Sequence, residues 1–478
     1  MASVTTPLAH TRFRVTVQSL LDPRTARMLP WLVAVAFFMQ ALDGTILNTA
    51  LPAIAHELGE NPLRMHGLVL AYLVTVAILI PASGWLADKF GTRRVFFSAI
   101  LLFCTGSLLC TFADSFNSLM LSRIIQAIGG ALMMPVGRLV VLRAYPRSEL
   151  VRVMSFVTLP GLVGPLIGPT IGGWLVEYAN WRWIFAINLP IGLIGAIASY
   201  RLMPDLRPEK SWGFDFIGFT LFGALTLSII FTLESLSHPS FISPSWLILS
   251  GVLAVALYYL HASRKKHPLF SLSLFKVHSF SIGILGNLFS RLGSSAMPFI
   301  TPLMMQVGLG YSPSVAGMSM IPLTLAGMAT KPFMAWLIKR FGYRPVLACN
   351  TFVQGFLIAA MALITAETHL AWLLLLLSLI GVSMYIQYTA LGTYTLTDLD
   401  NQQASSGTSL MSVTIQLAIG LAVSLAGAFL ALFNPDEGTL PQSTVMDAFA
   451  CAYIGLGAVS VITTLLFVFP DKARKRSQ

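Results

Sequence analysis

The chain alternates long apolar stretches with short polar ones. A bilayer core about 30 Å thick requires roughly 20 mostly apolar residues in a spanning helix. Laid along the sequence, that length picks out fourteen candidate spans, at about 30–50, 66–86, 94–113, 119–142, 151–178, 183–203, 216–236, 246–262, 280–303, 312–338, 344–366, 369–393, 407–432 and 446–468. The pattern predicts an all-α polytopic membrane protein with 14 transmembrane helices. The stretch 246–262 is short and flanked by polar segments.

Composition agrees with this reading and excludes others. Of 478 residues, 56% are hydrophobic and only 10% charged, against about 25% charged in an average soluble protein. So few charges cannot cover the surface of several soluble domains, and disorder requires low hydrophobicity. A net charge of +11 fits either nucleic-acid binding or basic cytoplasmic loops; the position of the cations decides. With a cytoplasmic N-terminus, 24 of the 30 Lys and Arg fall on the cytoplasmic side and only Arg64 and Arg182 on the other, while Arg123, Arg138, Arg291 and Lys331 lie inside spans. This bias predicts that both termini are cytoplasmic and assigns the positive charge to the membrane, not to nucleic acid.

Other chemistry is sparse. The first 29 residues hold Arg12, Arg14, Arg24 and Arg27 and no apolar core, unlike a cleavable signal peptide. The four cysteines, 104, 110, 349 and 451, show no metal-type spacing and read as apolar fillers. There is no phosphate-binding loop, HExxH or Cys–His cluster, so no cofactor and no metal are expected.

An internal repeat divides the chain. Gly84-Trp85-Leu86-Ala87-Asp88-Lys89-Phe90-Gly91-Thr92-Arg93-Arg94 aligns without gaps, at an offset of 251, with Ala335-Trp336-Leu337-Ile338-Lys339-Arg340-Phe341-Gly342-Tyr343-Arg344-Pro345. Each copy occupies the turn after an even-numbered span. The expected organisation is a cytoplasmic tail (1–29), a six-helix bundle (30–203), a linker with two additional spans (204–278), a second six-helix bundle (279–469) and a basic tail (470–478). Repeated halves around a midplane site are the architecture of alternating-access carriers.

With these residues in view, the chain resembles the major facilitator superfamily, in its fourteen-span drug:proton antiporter branch. The turn Gly84-x-Leu86-Ala87-Asp88-Lys89-x-Gly91-x-Arg93-Arg94 is similar to the superfamily's loop motif, and Leu42-Asp43-Gly44-Thr45 through Pro52 to the first-helix motif of the branch. Arg123-Ile124-Ile125-Gln126-Ala127-Ile128-Gly129-Gly130 resembles the fourth-helix motif, with Ala127 where Gly is usual. Gly161-x-x-Gly164-Pro165-x-x-Gly168-Pro169-x-x-Gly172-Gly173 resembles the antiporter motif of helix 5, and Trp181-Arg182-Trp183-Ile184-Phe185-x-Ile187-Asn188-x-Pro190 is also similar to the branch. The second loop copy departs by placing Lys339 where the first has Asp88, which leaves its gating role less defined.

These positions carry physical expectations. A carboxylate near the middle of span 1 costs about 2.5–3.5 kcal/mol to insert, so Asp43 is a functional candidate by default. Burial favours the neutral form of a carboxyl, as proton coupling requires; the alternative is a structural carboxylate paired to a cation. Gln40, Asp43, Gly44 and Leu47 share a helical face, expected to turn Asp43 toward a cavity. Arg123, Gln126, Gly130, Met134 and Arg138 share one side of span 4. The resemblance implies that Arg123 approaches Asp43 and tunes its proton affinity; the alternative for Arg123 and Arg138 is snorkelling. In span 9, Asn287, Arg291, Ser294 and Pro298 share a face, with Arg291 central and expected to line a cavity. Lys331 is near enough to one surface to snorkel. Tyr385, Gln387 and Tyr388 read equally as an aromatic substrate wall or as helix packing. Gly164, Gly168 and Gly172 form a small-residue ridge that permits close helix approach. With Gly161 and the chain-bending Pro160, Pro165 and Pro169, they suit a hinge; the alternative is static packing. Asp88, Arg93 and Arg94 form a latch expected to pair with neighbouring helix ends in the outward-open state and release on switching.

The resulting expectation is a carrier, not an enzyme, in a bacterial inner membrane, exporting amphipathic small molecules in exchange for protons. Asp43 and Arg123 would couple the proton. Gln40, Gln126, Met134, Asn287, Arg291, Tyr385 and Tyr388 would line the substrate cavity. The alternatives are a carrier of one metabolite, an anion given Arg291, and a non-transporting membrane sensor. Periplasmic or outer-membrane efflux partners are left open.

Overall fold

The computed structural model describes residues 22–207, 213–237, 243–432 and 442–468. Most of the predicted N-terminal tail, the C-terminal tail and part of the linker lie outside these residues. Every regular element among the described residues is helical. The first half comprises α1 (Pro23–Ile46), α2 (Leu51–Leu58), α3 (His66–Phe90), α4 (Thr92–Thr111), α5 (Phe116–Ala144), α6 (Arg147–Tyr178), α7 (Trp183–Ala186) and α8 (Asn188–Leu202). An inserted hairpin follows, α9 (Phe216–Ser237) and α10 (Pro244–Arg264). The second half comprises α11 (His278–Ser294), α12 (Met297–Leu303), α13 (Pro313–Met318), α14 (Ile321–Ala329), α15 (Lys331–Phe341), α16 (Tyr343–Ala360), α17 (Leu370–Leu396), α18 (Asn401–Leu432), α19 (Gln442–Thr463) and α20 (Leu465–Val468).

Among the described residues, twelve helices are each long and apolar enough to cross a bilayer, including the stretch predicted at 246–262. The pair Pro313–Ala329 and Lys331–Phe341, bent by 50° at the break between them, makes a thirteenth if it is counted as one broken span. The predicted ninth span, 280–303, is not one helix. α11 stops at Ser294 after 17 residues, and α12 and a π turn at Met304–Gly308 continue the path. Proline explains these interruptions, because its ring clashes with the carbonyl four residues earlier. Pro298 lies four residues beyond the end of α11, and Pro322 four beyond the end of α13. Pro332 follows the bend between α14 and α15.

The backbone extends the internal repeat well beyond the duplicated turn. The described positive-φ residues are Gly59, Gly91, Gly310 and Gly342, and they form two pairs, each 251 apart. Gly59-Glu60-Asn61-Pro62 answers Gly310-Tyr311-Ser312-Pro313, with Asn61 and Ser312 each at the N-cap position of the next helical segment, where the Asn61 side chain accepts from the Leu63 amide. In this register Gln40 corresponds to Arg291 and Asp43 to Ser294.

The halves meet tightly at the end that bears the Gly59 and Gly310 turns. There the Gly173 backbone of α6 approaches Pro313, and Gly317 of α13 approaches Pro169, so closely that an added Cβ would lie 2.2 and 2.1 Å from the opposing carbonyl oxygens. The amide of Ser314 donates to Glu177 (3.0 Å), and the Gln306 side chain donates to the Thr49 carbonyl (3.0 Å). Nearby, α18 packs on α3, with Gly427 against the His66 ring and Gly420 against Leu70 and Leu73.

Candidate functional site

Four helices of the first half converge on Asp43. Arg123 and Gln126 come from α5, Ser107 from α4 and Asn188 from the first turn of α8. α5 is set in place by a capping box in which Ser115 and Ser118 exchange side-chain and backbone bonds. Arg123 and Gln126 are three positions apart, which puts both on one helical face toward α1. Arg123 Nη1 donates to Asp43 Oδ2 (2.8 Å) and to Gln126 Oε1 (2.6 Å). Gln126 Nε2 donates to Asp43 Oδ1 (2.7 Å) and Ser107 Oγ (2.8 Å), and Asn188 Nδ2 reaches Asp43 Oδ1 at 3.2 Å. The guanidinium lies 4.4 Å from the ring centre of Tyr72, a cation–π contact.

The ion pair is sealed: the side chains of Arg123 and Asp43 are 2% and 0% exposed. The face predicted for Gln40, Asp43, Gly44 and Leu47 is therefore divided. Asp43 and Leu47 point into the bundle, whereas Gly44 is exposed and Gln40 half-buried, its Oε1 without a partner. Gln126, expected in the substrate cavity, belongs instead to the carboxylate cluster. Depth accounts for Arg123, which is fully buried and not snorkelling.

In the second half Arg291 is 7% exposed. Its guanidinium lies 3.6 Å from the ring centre of Tyr388, and its Nε reaches Asn287 Oδ1 at 3.3 Å. The Tyr388 hydroxyl bonds both Ser294 and Ser295 at 3.0 Å. No carboxylate among the described residues pairs with Arg291. Asn287 is fully buried and donates to Gly283 and Thr395, so it supports Arg291 from behind and does not line an open space. Gln387 turns to α16, bonding Thr351 and Asn350. Tyr385 packs on Gly327 of α14, where an added Cβ would meet its ring at 2.0 Å. Tyr388 thus joins the arginine, while Tyr385 and Gln387 join helices. Met134 is half-buried, its sulfur 3.7 Å from Arg138, and Lys331 is exposed.

The glycine ridge of α6 faces α1. Cβ atoms at Gly164, Gly168 and Gly172 would meet Ala41, Thr45 and Thr49 at 2.7, 2.3 and 2.5 Å. α6 runs unbroken through Pro160, Pro165 and Pro169, and Gly161 has room beside Phe37. The same helix touches α13 through Pro169 and Gly173, so it links the Asp43 helix to the other half.

The turn at Gly91 pairs within its own half. Asp88 accepts from Arg143 of α5 at 2.7 Å. Thr92 and Arg93 donate to the carbonyls of Pro204 and Met203, and Arg207 donates to that of Phe90. A side chain at Gly91 would strike Asp205; Gly84 and Arg94 are exposed. In this arrangement, closed at the far end, the latch fastens α3 to α5 and not one half to the other.

Sequence reasoning missed Ser107, Tyr72 and the role of Asn188, uncharged residues common in membrane helices. The Trp181-Arg182 motif also gains a partner: both donate to Glu57 of α2. The bond from Arg182 is the main reason that Glu57 is held below the usual carboxyl range.

A family model described as Major Facilitator Superfamily matches residues 33–423 and 283–478. The chain is 42% identical over 459 residues to a putative multidrug resistance protein MdtD of Pectobacterium atrosepticum, covering 95% of this chain and 98% of that one. It is 43% identical over 451 residues to the protein of the same name from Escherichia coli O157:H7, covering 93% and 95%. Among solved structures, it is similar to a POT family transporter in complex with 5-aminolevulinic acid (TM-score 0.68, 16% identity, 94% and 98% covered). It is also similar to a variant of the nucleoside transporter NupG (TM-score 0.64, 14% identity, 92% and 98% covered). At these identities the structures speak for the fold alone.

Proposed function

The chain belongs to the major facilitator superfamily, and from that premise we propose that it exports drugs or other amphipathic small molecules in exchange for protons. The multidrug-resistance names of its relatives support the substrate class. The observation that carries proton coupling is the sealed Asp43–Arg123 pair. A proton reaches Asp43 only when α1 parts from α5 and α8, the kind of movement that changes which end of the carrier is open. Once a carboxylate oxygen takes the proton, the pairing charge is gone. Arg123 then keeps Gln126 Oε1 and the Tyr72 ring as partners. Proton binding and helix rearrangement are thereby tied to one another.

In this reading the protein lies in a bacterial inner membrane with both termini cytoplasmic, and α11–α12 completes a fourteenth crossing. The tight end is then external, and the substrate path opens to the cytoplasm between Gln40 and Met134 of the first half and Arg291 and Tyr388 of the second. The duplicated bundles 30–203 and 279–469 are the moving bodies, with Gly164, Gly168 and Gly172 as the sliding contact and the Asp88–Arg143 bond as a restraint on the cytoplasmic side. A second reading, a carrier of an anionic metabolite, is favoured by Arg291, whose charge has no carboxylate partner among the described residues. Purified protein in liposomes should accumulate substrate under an imposed pH gradient, and Asp43→Asn should abolish that accumulation while leaving substrate binding intact. Normal accumulation by Asp43→Asn would overturn the coupling assignment. Arg291→Ala should weaken anionic ligands more than cationic ones if the second reading holds.

A further inference from the structure

The inserted hairpin is fastened unevenly. α9 packs on α3 and α18, whereas α10 packs on α9 and on the turn before α11. Within the hairpin the two helices are close: Ser228 and Ser250 share a hydrogen bond at 2.8 Å, and a Cβ added at Gly251 would lie 3.4 Å from that of Ser228. Toward the second half α10 stands off, and a groove of about 640 Å³ lies between. That volume falls within the roughly 300–1,000 Å³ of small-molecule pockets.

α9 lines the groove with Leu225, Ile229 and Leu233, and α10 lines it with Ile248, Val252 and Val255. Steps of three and four residues keep each set on one helical face. Leu292 of α11 and Leu421 and Leu425 of α18 form the opposite wall, and no charged side chain takes part. The two hydroxyls in the lining are already used. Ser250 donates to the Leu247 carbonyl (2.8 Å), so Ser228 donates to Ser250, and Thr232 donates to the Ser228 carbonyl (2.6 Å). The groove therefore presents apolar surface and no uncommitted side-chain donor.

Its position selects the occupant. α9, α10 and α18 are each long and apolar enough to cross a bilayer, and Ile248, Val252 and Val255 are half or more exposed. The mouth thus opens to hydrocarbon and not to water. From Leu247 to Ala256 the lining runs along α10 for about 14 Å at 1.5 Å per residue, close to half of the roughly 30 Å bilayer core. Trp246, 67% exposed, stands beside its outer end, where aromatic side chains mark the membrane surface. An amphipathic transport substrate would bring a polar group that finds no partner here, whereas a lipid keeps its polar end at the surface and sends only its chain inward.

We propose that this groove binds one acyl chain of a bilayer phospholipid, which fills the gap between α10 and the second half and holds the hairpin against α11 and α18. The groove shares no residue with the path between Gln40, Met134, Arg291 and Tyr388, so the lipid is a fixed component and not cargo.

Native mass spectrometry of the full chain, after loosely held lipid has been washed away in detergent, should show one phospholipid retained per chain. Val252→Trp combined with Ala256→Trp fills the groove from α10 and should lose that lipid. Leu249→Trp combined with Leu253→Trp places the same bulk on exposed positions of α10 outside the groove and should keep it. Independently of any variant, the parent chain in nanodiscs of phosphatidylethanolamine and phosphatidylglycerol, the latter with a diazirine partway along one chain, should be photolabelled several-fold more on Leu247–Ala256 and Leu421–Leu425 than around Leu193 and Ile194, which are exposed on α8. Equal labelling of these regions would mean ordinary boundary lipid and overturns the site. So does a parent chain that retains no lipid, a filled variant that retains as much as the parent, or a retained mass that is a second copy of the chain or a compound other than a lipid.

Discussion

A buried ion pair is held by its mutual attraction against the cost of removing two charges from water, and removing one partner leaves the other uncompensated. Arg123→Ala therefore should cost about 3–5 kcal/mol, because Asp43 would keep only Gln126 and Asn188 as donors. Combining Arg123→Gln with Asp43→Asn should cost clearly less than the two single changes together, a coupling that a double-mutant cycle of unfolding midpoints in detergent reads directly. Additive losses would mean that the pair is not a unit. This part of the site was legible in the sequence because a charge within an apolar run is expensive wherever it sits. Ser107, Tyr72 and Asn188 were not, since small polar and aromatic residues occur in many membrane helices without a site. Their function depends on four helices converging, which no local pattern records. Arg291 stood out for the same reason as Asp43, yet its attachment to Tyr388 and Asn287 required the tertiary structure.

At the scale of elements, hydropathy located the apolar stretches but not the breaks inside them. The 280–303 stretch reads as one span because Pro298 and Pro302 are apolar enough to pass a hydropathy window, while their geometry ends a helix. The glycine spacing of α6 was legible as a close-packing ridge; that its C-terminal turns also meet α13 was not. That contact is backbone against backbone, so neither side can yield to a side chain by rotating. Gly173→Leu should accordingly keep the halves from closing at that end, since even the first carbon would lie 2.2 Å from the Pro313 carbonyl. The expected result is protein that inserts and binds substrate but fails to turn over. A cysteine pair placed at Glu177 and Ser314, whose side chain and amide now bond at 3.0 Å, should crosslink in the parent chain and not in Gly173→Leu. Efficient crosslinking and transport in that variant would show that α6 and α13 separate at no cost.

At the scale of the molecule, the duplicated turn was enough to find the two halves, because the loop motif retains five identities at a constant offset. The same offset relates the Gly59 and Gly310 turns, where sequence identity has dwindled to Gly and Pro but backbone geometry persists. The repeat also shows where the halves have diverged: Asp43 corresponds to Ser294 and Gln40 to Arg291, so one half holds the Asp43–Arg123 pair and the other a cation that no carboxylate among the described residues pairs with. The inserted hairpin follows neither half and must be attached by its own contacts. At the start of the hairpin, Asp215 precedes α9 and accepts from His261 (2.7 Å), Lys265 (2.9 Å) and the amides of Leu269 (2.8 Å) and Gly218 (3.1 Å). Burial alone would raise the pKa of this carboxyl. The bonds from Lys265, His261 and the two amides outweigh it and bring the value down from 3.8 to about 2. Because the folded value is the lower one, the contribution of Asp215 to stability is fully present above the unfolded value of 3.8 and fades as pH falls toward about 2. Asp215→Asn should lower the thermal midpoint at neutral pH and flatten the acid limb across that window, with hydrogen exchange rising first in Pro244–Arg264. It should leave gradient-driven transport largely intact, since Asp215 ties the hairpin to itself and to the segment before α11, whereas Asp43→Asn should abolish that transport. Equal losses of transport in the two variants would mean that the hairpin is a moving part of the carrier and not a strut beside it.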